Sequence, residues 1–329
     1  MRTIGRLVAL ALAAGVAAAC TGAPAPSAAP VDTTTPYPSL AAATSEPATA
    51  EPATAAPTAT ADPCAPDQLA TKTAGTLTFG TDNPAFPPYF EKGDVPIAPP
   101  WEDLGYTGDP RSGKGFESAV AYAVADKLGF GKDKVSWVYV PFDSSYAPGD
   151  KTFDIDINQI SYTADRAKAV DMTDGYYTVN QALVANADTP ITKVTTVSGL
   201  KDSKLGAQQG TTSYTFITDT IQPTNEASVY PDNSAAIAGL NAKQIDGIVV
   251  DLPTAFYITA AQMKNGVIVG QFPAPAGADA EHFSMVLQQG SPLTACVNTA
   301  IGGLKADGTL DAITKEWLSD KASAPVLQP

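Results

Sequence analysis

The sequence predicts an α/β fold built as two lobes on a hinge, and three observations predict it. The part of the 329-residue chain that follows residue 62 is too long for one small core and comfortable for two of ordinary size. Short apolar or alternating runs interleave with stretches at helical spacing, the pattern of strands covered by helices. The chain also leaves its first half near Tyr177 and returns to it near Phe283. Two crossings between two lobes make a hinge with a cleft beside it.

The elements follow in chain order. Arg2 and Arg6 precede an unbroken apolar run from Leu7 to Ala19, which reads as an export signal over 1–20. The run falls short of the roughly 20 apolar residues that a permanent span needs. Ala17, Ala18 and Ala19 before Cys20 resemble a bacterial lipobox, although Ala17 stands where leucine is usual. That resemblance implies a diacylglyceryl group on Cys20 and a lipid-anchored, extracytoplasmic protein; a secretory signal that merely ends near a cysteine is the alternative. Residues 21–63 are rich in Ala, Pro, Thr and Ser. They bury too little to offset ordering entropy and read as a disordered tether, reaching roughly 130 Å at about 3.1 Å per residue.

The first lobe is expected over 64–184 and 283–329, the second over 185–282. Leu77 to Gly80 is a strand, and prolines 84, 87 and 88 stop it from pairing further. A long polar loop over 91–112 follows. Phe116, Val120, Val124 and Leu128 recur at helical spacing up to Gly129. Val135 to Val140, Phe153 to Ile160 and Tyr177 to Ala185 read as strands. The second lobe alternates strands at Leu205, Ser228 and Gly247 with helices over 211–221, 234–242 and 252–263, which predicts parallel sheets covered on both faces. Helices at 293–304 and 310–318 close the chain.

A net charge of −14, more negative once Arg2 and Arg6 are removed, argues against nucleic acid and anionic lipid surfaces as partners. With Cys20 lipidated, Cys64 and Cys296 remain as an even pair outside the cytoplasm, which reads as a disulfide rather than two free thiols. His282 is the lone histidine and no CxxC is present, so neither a metal site nor a cofactor is expected.

Six stretches in order carry a family resemblance. They are 80–89 (GTDNPAFPPY), 115–120 (GFESAV), 161–171 (SYTADRAKAVD), 210–212 (GTT), 246–251 (DGIVVD) and 308–310 (GTL) before Trp317. Over 75–320 the chain resembles the polar amino-acid family (family 3) of bacterial ABC-transporter solute-binding proteins. The resemblance implies a type II periplasmic-binding-protein fold, a free amino-acid ligand, an ABC permease as partner, and a monomer that is not an enzyme.

The residues fit that chemistry. An arginine fork matches a carboxylate bidentately, and the family's carboxylate-binding arginine falls on Arg166. Ser161, on the same loop, adds a hydroxyl. Gly210 to Thr212 lies between a strand and a helix, where free N–H groups point at an anion; the resemblance gives Thr212 part of the carboxylate, while an ordinary N-cap is the plain alternative. Asp251 ends a strand, where ligands of α/β sheets bind. The family's ammonium-binding aspartate falls on it, and an N-cap is again the alternative. Asp82 offers a second acidic contact or recognises a side chain. Phe86 and Phe142 are the expected aromatic walls, with Phe116 assigned to the core, and the amides of Asn158 and Gln159 reach the ligand. A dehydratase-like enzyme using Glu117 or Asp82, or a ligand-sensing surface lipoprotein, are the alternative functions.

Overall fold

The computed structural model describes residues 62–272, 280–318 and 324–329. The expected export signal, Cys20 and the tether as far as residue 61 lie outside the described residues. The order of elements is β1 (Leu77–Thr81), α1 (Phe116–Lys127), β2 (Val135–Tyr139), α2 (Phe142–Ser145), β3 (Ile155–Asp156), β4 (Val170–Met172), β5 (Tyr177–Thr178) and β6 (Gln181–Asn186). Then come β7 (Leu205–Gln208), α3 (Thr212–Phe216), β8 (Ser228–Tyr230), α4 (Asn233–Asn241), β9 (Gly247–Asp251), α5 (Leu252–Tyr257) and β10 (Gly266–Gln271). The chain closes with β11 (His282–Phe283), β12 (Val286–Gln288), α6 (Thr294–Ala306) and α7 (Thr309–Trp317).

Two five-stranded sheets form, in the orders β2-β1-β3-β12-β4 and β10-β6-β9-β7-β8. In the first, β1 runs parallel to β2 and β3, whereas β12 is antiparallel to β3 and β4. In the second, β7 runs parallel to β8 and β9, and β6 is antiparallel to β9 and β10. The expectation of parallel sheets therefore holds for the βαβ units. The strands that return from a crossing enter the other way.

Apolar periodicity explains the layering. Phe116, Val120 and Val124 of α1 pack with Leu77 and Phe79 of β1 and with Val297, Ile301 and Leu304 of α6. In the second sheet β6 splits its side chains, Leu183 and Ala185 to one face, Ala182 and Val184 to the other. Both faces are covered, so the strand reads as a continuous apolar run. Cys64 and Cys296 form a disulfide with Cα atoms 5.4 Å apart, tying the start of the folded region to α6.

The structure differs from the sequence reading in two places. The run from Tyr177 to Ala185 is two strands: β5 pairs with β11 as a small antiparallel ribbon between the sheets, and β6 is an inner strand of the second sheet. Lobe 2 thus begins near Gln181 rather than at 185. The terminal residues, expected in lobe 1, also join lobe 2. Gln271 N–H donates to Pro325 O and Leu327 N–H to Gln271 O, at 2.7 and 2.9 Å. Leu327, 1 % exposed, completes one of the second lobe's cores.

The long loop over 91–112 reaches both lobes. Trp101 lies under Arg111 and donates its indole N–H to Asp82 O at 3.0 Å, which pins the loop to the end of β1. On the opposite side, Tyr257 of α5 donates its hydroxyl proton to Tyr106 O.

Leu327→Ala is expected to cost about 2–5 kcal/mol of unfolding free energy in denaturant titration. Val326→Ala, at a neighbour that is half exposed, is expected to cost little; equal costs would show that the terminal segment does not pack as described.

Candidate functional site

The carboxyl ends of strands in both lobes converge on one cavity, where open α/β sheets place their ligands. Lobe 1 supplies Asp82, Asn83, Pro84, Phe86, Phe142, Asn158, Gln159, Ser161 and Arg166. Lobe 2 supplies Gln208, Thr211, Thr212, Asp232, Asn233, Ser234, Asp251, Thr254 and Gln262. All eight residues expected to touch a ligand (Asp82, Phe86, Phe142, Gln159, Ser161, Arg166, Thr212 and Asp251) line this space. The cavity measures about 80 Å³, several times the roughly 10–15 Å³ that one water takes on the same measure.

Arg166 begins a single 3₁₀ turn (Arg166–Lys168) after Asp165, and Thr163 Oγ1 accepts its backbone N–H at 3.1 Å. Its guanidinium donates from Nη1 to Ser161 O at 2.6 Å and from Nη2 to Gly210 O at 2.7 Å. The first carbonyl belongs to lobe 1 and the second to lobe 2. The guanidinium carbon lies 4.3 Å from the ring centroid of Tyr146 and 5.6 Å from that of Phe142, so two aromatic faces fix its plane. Burial lowers the pKa of Arg166, but a guanidinium titrates far enough above neutrality to stay charged.

Gly210 is demanded twice. Its φ is +73°, and a Cβ there would sit 2.5 Å from Asp143 Oδ1 and from Tyr146 Oη in the facing lobe. Thr211 caps α3, accepting the Tyr214 N–H at 3.2 Å. Thr212 is therefore free of the capping role, and its hydroxyl donates to Ser161 Oγ at 3.4 Å across the cleft.

Asp251 closes β9 and precedes α5 without capping it by its side chain. Its Oδ1 instead accepts from Gln181 Nε2 at 2.8 Å. Gln181 also donates to Glu281 Oε2 at 3.1 Å and accepts the Ser213 hydroxyl at 2.6 Å. Burial first, then the charge of Glu281, pushes the Asp251 carboxyl well above its usual range. An approaching cation reverses that shift, which is what an ammonium does.

On the other side Asp82 Oδ1 accepts the Asn83 N–H at 2.6 Å, yet burial raises its pKa to about 6. Phe86 stacks on Tyr257 of the second lobe with centroids 6.0 Å apart. Tyr89, directly after the proline pair, is fully buried with its hydroxyl 3.1 Å from Thr254 Oγ1. Phe116 is wholly buried in the core of lobe 1.

Gln159 adopts φ 49°. It gives its backbone N–H to Glu117 Oε1 at 2.7 Å and its amide N–H to Glu117 Oε2. Tyr176, beside β5, donates its hydroxyl to the same carboxylate. Burial still pushes Glu117 up to about 7. Fully buried Asp156 has neither oxygen hydrogen-bonded among the described residues, and burial with the charges of Glu117 and Asp82 pushes it well above the carboxylate range.

Sequence reasoning missed Gln181, Asp232 and Thr254. Asp232 carried a readable signal, since Asp-Asn-Ser after the strand at Ser228 is both a helix start and a strand's carboxyl end. Gln181 carried none.

The bacterial extracellular solute-binding proteins, family 3, match residues 95–320. The L-cystine-binding protein TcyJ of Escherichia coli strain K12 is 27 % identical over 218 residues, 65 % of this chain and 77 % of that protein. The ABC transporter arginine-binding protein 1 of the same strain is 25 % identical over 221 residues, covering 67 % and 86 %. Among solved structures, an ancestral arginine-binding protein bound to arginine superposes with a TM-score of 0.58 at 26 % identity, covering 74 % of this chain and 99 % of that one. The ancestral amino acid-binding protein AncCDT-1, a precursor of cyclohexadienyl dehydratase, gives 0.59 at 25 % identity, covering 74 % and 96 %.

Glu117 titrates at 4.5 in its ordinary state and at about 7 when folded, so folding favours its protonated form. Its contribution to stability is complete below about pH 4.5 and is lost as pH rises to about 7, roughly 3 kcal/mol in all. Glu117→Gln is expected to remove that decline from a series of unfolding titrations across this range, and an unchanged slope would contradict the assignment.

Proposed function

The chain belongs to the bacterial extracellular solute-binding proteins of family 3, and from that premise we propose that it captures a free zwitterionic amino acid and hands it to an ABC permease. On this reading the two-lobed body works as a monomer outside the cytoplasm, held to the membrane by a lipid on Cys20 through the tether. The lipobox-like residues before Cys20 support the anchor. Relatives described as cystine-, arginine- and glutamine-binding proteins support the guest class.

The observation that carries the reading is one guanidinium and one carboxylate on opposite walls of a single cavity, Arg166 from lobe 1 and Asp251 from lobe 2. An α-amino acid zwitterion carries its ammonium and its carboxylate on the same carbon. Arg166, Ser161 and Thr212 replace the water around its carboxylate, and Asp251 replaces the water around its ammonium. Because the partners belong to different lobes, the guest stabilises closure. Phe86 and Phe142 flank the side chain.

An enzyme on this scaffold needs a free acid or base in the cleft. Both oxygens of Glu117 are taken by Gln159 and Tyr176, which counts against Glu117 in that role and leaves Asp82 as the acid such an enzyme would have to use.

Isothermal titration against the free amino acids is expected to find a guest whose binding Arg166→Ala weakens by about 2–5 kcal/mol. Unchanged affinity for that guest would remove Arg166 from the carboxylate role.

A further inference from the structure

Gln181 opens β6 just past the hinge ribbon, and in the antiparallel pairing of β6 with β9 it stands directly opposite Asp251. Cross-strand partners carry their side chains on the same face of a sheet. The backbone around it is pinned on both sides: Leu252 N–H donates to Asn180 O at 2.9 Å and Phe272 N–H to Gln181 O at 2.8 Å. Gln181 is 3 % exposed, and neither it nor Glu281 is among the residues lining the cavity.

Both ends of its amide are used. The Ser213 hydroxyl donates to Oε1 at 2.6 Å, which fixes the orientation of the amide and turns Nε2 toward the acids. Nε2 then donates to Asp251 Oδ1 at 2.8 Å and to Glu281 Oε2 at 3.1 Å. The two hydrogens of one NH₂ group thus go to two carboxylates. One of them, Asp251, faces the cavity, and the other sits on the returning chain just before β11. The remaining oxygen of Glu281, Oε1, is buried with no hydrogen-bond partner among the described residues. After burial, the charge of Glu281 is the largest influence on Asp251. Without a donor between them, two like charges in a desolvated space drive each other apart, and a carboxylate that can turn is no longer aimed at the cavity.

We propose that Gln181 is a positioning residue for the ammonium end of the site, holding the Asp251 carboxylate toward the cavity against Glu281 and so setting how strongly the protein prefers a guest that carries an α-ammonium. The inference rests on the capture reading, in which Asp251 takes that ammonium. Ser213 follows Thr212 in α3, so the same amide ties the acid at one end of the guest to the turn at the other. Asp251 is also faced by Arg166 from lobe 1, by Glu117 at the start of α1, and by the phenols of Tyr89 and Tyr177. Among these influences the Gln181 hydrogen bond lowers the Asp251 pKa, so its loss moves ionisation to higher pH. The ionised carboxylate is the form whose charge attracts an ammonium, and binding that depends on it follows to more alkaline pH.

The test is isothermal titration of the full chain with the tightest binder among the free L-amino acids, L-cystine included, and with the same molecule bearing hydrogen in place of its ammonium: δ-guanidinovalerate for L-arginine, glutaramate for L-glutamine. Wild type is expected to prefer the amino acid by at least about thirtyfold. Gln181→Met keeps the bulk and removes the amide; it is expected to weaken the amino acid by about tenfold to a hundredfold while changing the ammonium-free compound little. Its remaining affinity is expected to rise with pH further to the alkaline side than that of wild type, in a series between about pH 5 and 8. Ser213→Ala, which only releases the amide, is expected to act in the same direction and more weakly, so a Gln181→Met chain that fails to fold still leaves a test. An undiminished preference in the folded variants, or equal weakening of both compounds with an unmoved pH profile, overturns the positioning role and leaves capture intact. Equal affinity of wild type for the two compounds removes Asp251 from the ammonium and the inference with it, and failure of every free amino acid to bind overturns capture itself.

Discussion

The guanidinium of Arg166 holds the two lobes to each other, and the rest of the cleft is arranged around that contact. One of its N–H groups is spent on Ser161 O in its own lobe and another on Gly210 O in the facing one. This bridge is possible because residue 210 has no side chain and adopts a left-handed φ. It is directed because Tyr146 and Phe142 confine the guanidinium plane. The side chain carries five N–H groups in a fixed fork, more than these two carbonyls use, and Arg166 lines the cavity. The charge that welds the lobes is thus the charge on offer to a carboxylate.

The acids around it form a second constraint. Asp82, Glu117, Asp156 and Asp251 are each raised by burial, and they differ in what holds them. Glu117 is satisfied by Gln159 and Tyr176, so it joins the cavity floor to the chain just before the hinge strand β5. Asp251 is steadied by Gln181, which shares its amide with Glu281. Asp156 has no hydrogen-bond partner for either oxygen among the described residues. Of these four, Asp82 and Asp251 line the cavity with Arg166, and a positively charged group arriving beside them offsets what burial does to their carboxyls.

Much of this was legible in the sequence because it was local. The βαβ units of lobe 2 follow from apolar periodicity, and α1 from its spacing and the glycine that ends it. Arg166 and Ser161 share one loop, and Gly210 to Thr212 fills one turn, so each motif brings its side chains to the cavity together. What escaped was non-local. The split of 177–185 into a hinge strand and an inner strand depends on pairing with β9, β10 and β11, distant in sequence. The return of residues 324–329 to lobe 2 depends on a pocket for Leu327 that no local pattern announces. Gln181 is ordinary by type, and it matters because the fold sets Asp251 and Glu281 on either side of it. Thr211 rather than Thr212 caps α3, a one-residue distinction that helix periodicity does not make.

The most direct test is a crystal structure with the amino acid that titration identifies as the guest. The account predicts its carboxylate against the Arg166 guanidinium and its ammonium against Asp251, with both lobes in contact with the same molecule. A guest lying wholly on one lobe, or oriented with its carboxylate away from Arg166, would contradict it.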